Sequence, residues 1–150
     1  MLKKEFKAFE KICKAEWTAL SKNGKNHKSS FVYDFHCNCP ACELNVQAER
    51  AYTGTRNVPC QFCPIDEWRK QAGKGLKDED GYPLSSICEN GKEAYNMWCN
   101  SRKKVTRMIY ADRIAKMKWT FLPIYKKIEL PEWLQKTLAK KMAKLAKMEK

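Results

Sequence analysis

No run of roughly 18 apolar residues occurs anywhere in the 150-residue chain, which argues against a membrane-crossing helix. The start, Met1-Leu2-Lys3-Lys4-Glu5-Phe6, is basic but has no apolar stretch behind it, so it does not read as a secretory leader. A reducing, cytoplasmic setting is the expectation. Histidine is scarce, with only His27 and His36 in the chain. A cysteine nucleophile would therefore have few bases to draw on. The metalloprotease pattern His-Glu-x-x-His and the deaminase signature His-x-Glu are both missing. Internal repeats are absent, and Gly73-x-Gly75 is too short a match for a phosphate loop. These gaps argue against catalysis, and a non-enzymatic protein is expected.

Acidic residues also run short where basic ones accumulate. Residues 101–150 carry 15 Lys/Arg against 4 Asp/Glu, whereas residues 1–50 carry 9 against 6 and residues 51–100 carry 6 against 7. Nearly all of the net charge of +13 thus lies in the final third. A field polarised in this way attracts polyanions such as nucleic acid or anionic lipid. A solvated lysine face that only keeps the protein soluble is the plainer alternative.

What is present suffices for a packed core, since 43% of residues are hydrophobic. The expected fold is mainly α, with a small α+β arrangement as the variant. It divides into a zinc-stabilised helical domain over 1–130 and a basic amphipathic helix over 131–150. Leu2, Phe6, Phe9, Cys13, Trp17 and Leu20 recur at helical spacing and predict a first helix ending at Asn23-Gly24. Cys13 lies in that apolar stripe and reads as a buried small hydrophobe. Phe31 to Phe35 alternates loosely and predicts a short strand, with a hairpin formed around the cysteine turns. Glu43 to Tyr52 predicts one or two helical turns, broken at Gly54. Residues 73–81 form the clearest loop. From Lys92 the chain turns helical again, with Tyr95, Trp98, Arg102, Val105 and Ile109 on one stripe; Ser101 could instead cap a separate helix. Ile109, Ala111, Ile114, Met117 and Phe121 carry the apolar character towards Pro123. Pro131 suits the first turn of a last helix lined by Leu134, Leu138, Met142, Leu145 and Met148. Trp17, Trp68, Trp98, Phe6, Phe9 and Tyr95 are the candidate core.

Eight cysteines are the strongest chemical signal. Cys39-x2-Cys42 and Cys60-x2-Cys63 are separated by 17 residues, a spacing that lets two tight turns complete a four-thiolate shell. Zinc suits such a set because the ion is borderline soft and prefers four tetrahedral ligands. Four cysteines close the shell, so the ion would be structural and would order a middle region with few aliphatics. An iron–sulfur cluster is the alternative cofactor. Cys88, Cys37 and His36 are alternative ligands, Cys99 is also available, and a second ion could bind if His36 or His27 joined in.

Trp17-x2-Leu20-Ser21-x-Asn23-Gly24, Lys28-Ser29, Cys39-x2-Cys42-Glu43, Cys60-x2-Cys63-Pro64-Ile65 with Trp68, Cys88 and Tyr95-x2-Trp98 follow one another in the chain. This order resembles a class of small uncharacterised bacteriophage proteins with two such cysteine knuckles before a Tyr-x-x-Trp helix. The likeness covers roughly residues 17–125. It implies a phage-encoded zinc-binding protein acting in the host cytoplasm, and it brings no activity with it. Cys37 and the lysine-rich tail after Pro131 are additions to the pattern. If Cys88 belongs to the shared set, the fourth ligand is either Cys60 or Cys88.

Three functional readings follow. In the leading one, Arg102, Lys103, Lys104, Arg107, Arg113, Lys116 and Lys118 contact phosphates, giving salt-sensitive and largely non-specific binding to nucleic acid. No side-chain code for base readout is evident, and the knuckles do not match the two-cysteine, two-histidine finger. In the second, the last helix seats in a groove on a host protein, which the chain binds or inhibits. The same stripe could equally dock on the N-terminal helix and close the core. In the third and weakest, that helix lies on a membrane surface, with Trp133 and its lysines at the interface.

Overall fold

The computed structural model describes residues 1–53, 60–72, 77, 79–81 and 87–149. Among these residues six helices carry the fold: α1 (Lys3–Asn23), α2 (Pro40–Ala51), α3 (Asp66–Ala72), α4 (Ala94–Asn100), α5 (Lys104–Ala115) and α6 (Glu132–Met148). Short 3-10 turns at Ser30–Val32, His36–Asn38 and Pro123–Lys127 join them. Among the described residues there is no strand; Ile65 and Trp119 form an isolated antiparallel bridge. The protein is mainly α, as the periodicity implied.

Helix α1 is the spine. Its buried face holds Phe6, Phe9, Ile12, Cys13, Trp17 and Leu20, and α2, α5 and α6 pack around it. Glu5 reaches back to accept the Leu2 N–H at 2.7 Å, satisfying one of the donors that helix starts leave unpaired. The helix closes at Gly24, whose φ of 65° suits a residue without a β-carbon. A second demand falls on the same position. A β-carbon there would sit 2.4 Å from Cγ of Lys104, so any larger residue would force that side chain to move where the end of α1 meets the start of α5. Arg107 seals the junction by donating from Nε to the Gly24 carbonyl at 2.8 Å.

Two aromatic groups fill the core. Trp17 meets Trp98 edge-on at 5.0 Å and Tyr95 at 5.8 Å, joining α1 to α4. Phe6 packs against Trp119, Phe121 and Tyr125 at the other end of the helix. The Tyr125 hydroxyl donates to the Phe62 carbonyl at 2.6 Å and so pins the second cysteine turn. The bridge does the same, with Thr120 N–H on the Pro64 carbonyl and Asp66 N–H on that of Lys118. Five of the six candidate core aromatics are buried, and Tyr95 is half-buried.

Helix α6 lies against α1 through Leu134, Leu138 and Leu145, all buried, with Met142 half-buried and Met148 exposed. Lys141 is buried in the same interface. Its ammonium donates to the Phe31 carbonyl, pairs with Asp34 at 2.8 Å and lies over the rings of Phe31 and Phe35. Lysine stems cover apolar surface readily, and here the head has also found partners.

Three expectations need correction. The strand and hairpin at Phe31–Phe35 are 3-10 turns instead. Val32 and Phe35 are both buried while Tyr33 and Asp34 face outward, so the apolar spacing is three and not two. The helical stretch after Lys92 breaks over Ser101–Lys103. Ser101 adopts an extended backbone and closes α4, while Lys103 precedes α5. As a result Val105 and Ile109, read as part of one apolar stripe, are 68% and 62% exposed. Helix α2 also starts earlier than expected, at Pro40, inside the first cysteine pair. Gly54 and most of the 73–81 loop lie outside the described residues.

Candidate metal centre

The first knuckle is built by a change of backbone state. Cys39 is extended and precedes α2, with Pro40 at the first helical position where its missing N–H costs nothing. The N–H groups of Ala41 and Cys42 point back at the Cys39 sulfur. The Cys13 thiol hydrogen-bonds that sulfur, and the Lys28 ammonium also favours its charge. Together these outweigh burial and bring the Cys39 thiol down to about 6. Cys13 is driven the opposite way, chiefly because it shares this hydrogen bond. Cys13 is therefore buried, as its place in the stripe implied, and in addition touches the site.

Before Cys39 the chain takes two consecutive left-handed residues, Cys37 (φ 55°) and Asn38 (φ 52°), and Cys60 (φ 62°) is a third. Among the described non-glycine residues these are the positive-φ positions, and all three lie in the cysteine knuckles. The left-handed state costs an L-residue roughly 1–2 kcal/mol. Such strain is held only where the surroundings insist on it, and it gathers at functional sites.

The surroundings are identifiable. The Lys28 ammonium donates to the Asn38 carbonyl at 3.1 Å and to that of Cys37 at 3.4 Å. It also sits over the rings of Tyr95, at 4.7 Å, and Trp17. Burial works against its charge, but Cys39, Tyr95, Cys13 and Cys88 work for it, and the net shift is upward. Lys28 is itself positioned from α1. Glu16, buried, accepts both the N–H and the hydroxyl of Ser29 at 2.6 Å. On the far side buried Glu43 accepts the His36 N–H at 3.1 Å and is held by Gln47. The second knuckle is tied to α2 by Asn45, which accepts the Phe62 N–H at 2.9 Å. Ile87 then donates to the Cys60 sulfur at 3.5 Å, bringing in Cys88.

These restraints surround one pocket of about 360 Å³, with His36, Cys37, Cys39, Cys42, Cys60 and Cys88 on its walls. The donor atoms of His36, Cys37 and Cys42 lie within 4.8 Å of one another, close enough to hold a metal ion. A tetrahedral ion with bonds of about 2.3 Å to sulfur spaces its donors about 3.8 Å apart. Cys63, expected in the first shell, is buried in the core. Burial is the main cause that raises its thiol, and the nearby sulfurs of Cys39, Cys60 and Cys88 push the same way. Burial likewise raises Cys42, helped by Cys39 and Cys37. No disulfide links any of the eight cysteines. Cys99 is exposed at the end of α4, and His27 is exposed beside Asn26.

The candidate basic residues divide. Arg102, Lys103, Lys104, Arg113, Lys116 and Lys118 are exposed on or beside α5. Arg107 is half-buried and committed to the carbonyls of Gly24 and Ser101. Lys116 pairs with Asp112 at 2.8 Å, and Lys118 lies 3.9 Å from Asp66.

Sequence reasoning missed Glu16, Glu43 and Lys28 as supports. Lys28 stands in a polar stretch with no periodicity to betray its burial. A carboxylate at position 16, inside the apolar stripe of α1, was one available sign. No protein-family model matches the chain, and neither a curated protein nor a solved structure matches it. No described helix is long and apolar enough to cross a membrane.

Proposed function

We propose that this chain is a small non-enzymatic zinc protein that associates with nucleic acid through the exposed basic surface of α5. The zinc reading rests on one observation, the convergence of an imidazole and two thiols within 4.8 Å in a pocket walled by further cysteines. Thiolate and imidazole are the ligands zinc favours, and the remaining sulfurs can complete its shell. The ion would order the knuckles, and through Lys28 and Tyr125 it would brace the helical core. The resemblance to small phage proteins fits a role in a host cell.

The nucleic-acid reading is supported by the six exposed Lys and Arg side chains around a single 12-residue helix. Each phosphate that a variant leaves unneutralised should lower the slope of log affinity against log salt by about 0.9 on duplex DNA. Replacing Arg102, Lys103 and Lys104 together by alanine should weaken a fluorescence-polarisation signal on mixed-sequence DNA and flatten its salt dependence. Binding that is absent, or indifferent to salt in the unaltered protein, would sink this reading. A host protein is the second candidate partner, favoured by the exposure of Val105 and Ile109 on the same helix. Recovery of partners that survives nuclease treatment would shift the weight to it.

A further inference from the structure

We propose that the cysteine pocket takes two metal ions, an outer one on His36, Cys37 and Cys42 and an inner one on Cys39, Cys60, Cys63 and Cys88. The inference rests on the zinc reading above and extends it. A four-coordinate ion cannot use six donors, yet five sulfurs and one imidazole line this pocket, and a seventh donor, Cys63, stands in the same turn as Cys60. The Cys39-x2-Cys42 pair would then be divided between the two ions.

The division follows depth. His36 and Cys37 are exposed and Cys42 is half-buried, and their donor atoms are already grouped. Cys39, Cys60 and Cys88 line the same pocket, and Cys63 is buried, its N–H donating to the Cys60 carbonyl at 3.1 Å. These inner sulfurs are more widely spaced than the outer trio. The inner ion would draw them in by side-chain rotation, and Cys39 would exchange its hydrogen bond with Cys13 for the metal. Each ligating thiol that still carries a proton gives it up to solvent as its bond to the ion forms.

Charge and backbone both fit this scheme. Zinc on four thiolates carries two net negative charges, which are costly to bury without compensation. Lys28 offers the cation, its ammonium held in the pocket wall by the carbonyls of Asn38 and Cys37. Zinc on two thiolates and a neutral imidazole is uncharged and needs no such compensation, as befits the exposed outer position. Each site has one left-handed residue among its ligands, Cys37 at the outer and Cys60 at the inner. A glycine would adopt either conformation without cost, so the side chain is what those positions require.

The test is the metal content of the full-length protein, loaded with zinc and freed of excess by gel filtration. Two ions per chain are expected, falling to one in the His36→Ala/Cys37→Ser variant. Cadmium-113 resonances of the unaltered protein, loaded with cadmium alone, give an independent count that needs no variant to fold. Two signals are expected, the all-sulfur site downfield of the mixed one. A single ion and a single resonance would overturn the two-site proposal and leave one zinc centre standing. No bound metal at all would remove both.

Discussion

Replacing Lys28 by methionine isolates what a buried cation does for a cysteine knuckle. Methionine keeps most of the side-chain volume, so packing against Trp17 and Tyr95 is largely preserved. What goes is a charge-assisted hydrogen bond to Asn38 at 3.1 Å, a longer one to Cys37 at 3.4 Å and a cation over the Tyr95 ring at 4.7 Å. A hydrogen bond to a charged group contributes about 1.5–3 kcal/mol, and a desolvated cation–π contact about 2. Recovering the ammonium's hydration, and relaxing the left-handed turn, offsets part of that sum. A net loss of about 2–3 kcal/mol remains. For a chain of this size that lowers the melting temperature by roughly 4–12 °C. The pH of the measurement matters little below the alkaline range. The folded Lys28 pKa is raised above its ordinary 10.5, so its contribution is fully present below that value and is lost only as the pH climbs past it. Differential scanning calorimetry at neutral pH, paired with a zinc competition titration, reads both consequences. Unchanged melting together with unchanged zinc affinity would refute the claim that Lys28 holds the knuckle.

Two further outcomes follow from the packing. Leu138→Ala empties a buried site between α6 and α1 and should cost about 2–5 kcal/mol by chemical denaturation; a loss below about 1 kcal/mol would mean that α6 is not part of the core. Asp34 is held below the usual carboxylate range, first by its hydrogen bond from Lys141 and then by the charge of that residue. Its stabilisation is therefore present above that range and fades as the pH falls through it. The Asp34→Asn variant should lose this acid-side component, and denaturation curves for the two proteins that stay parallel down to pH 3 would contradict the pairing.

Much of the fold could be read from spacing because α1 and α6 bury one regular stripe each. The Phe31–Phe35 segment could not. Five residues are too few to separate a period of two from a spacing of three, and its packing partner, Lys141, stands more than 100 residues away. Val105 and Ile109 extended an apolar stripe past Ser101, but the extended backbone over Ser101–Lys103 starts α5 on a new phase and turns them to solvent. The cysteine pairs pointed to a candidate metal site through spacing alone. Spacing says nothing of depth: Cys63 is buried, whereas Cys42 is half-buried and its sulfur lies within 4.8 Å of the donor atoms of His36 and Cys37. The partners of Glu16, Glu43 and Lys28 are tertiary contacts, so their roles as supports follow from the fold and not from local spacing.

Thermal unfolding of the purified protein, before and after a zinc chelator and with metal content measured on the same sample, tests the central claim most directly. A structural ion contributes its binding free energy to folding. The account predicts at least one zinc per chain, a large drop in melting temperature on chelation, and recovery when zinc is returned. Protein with less than about half an equivalent of metal, melting at the same temperature with and without the chelator, would contradict it.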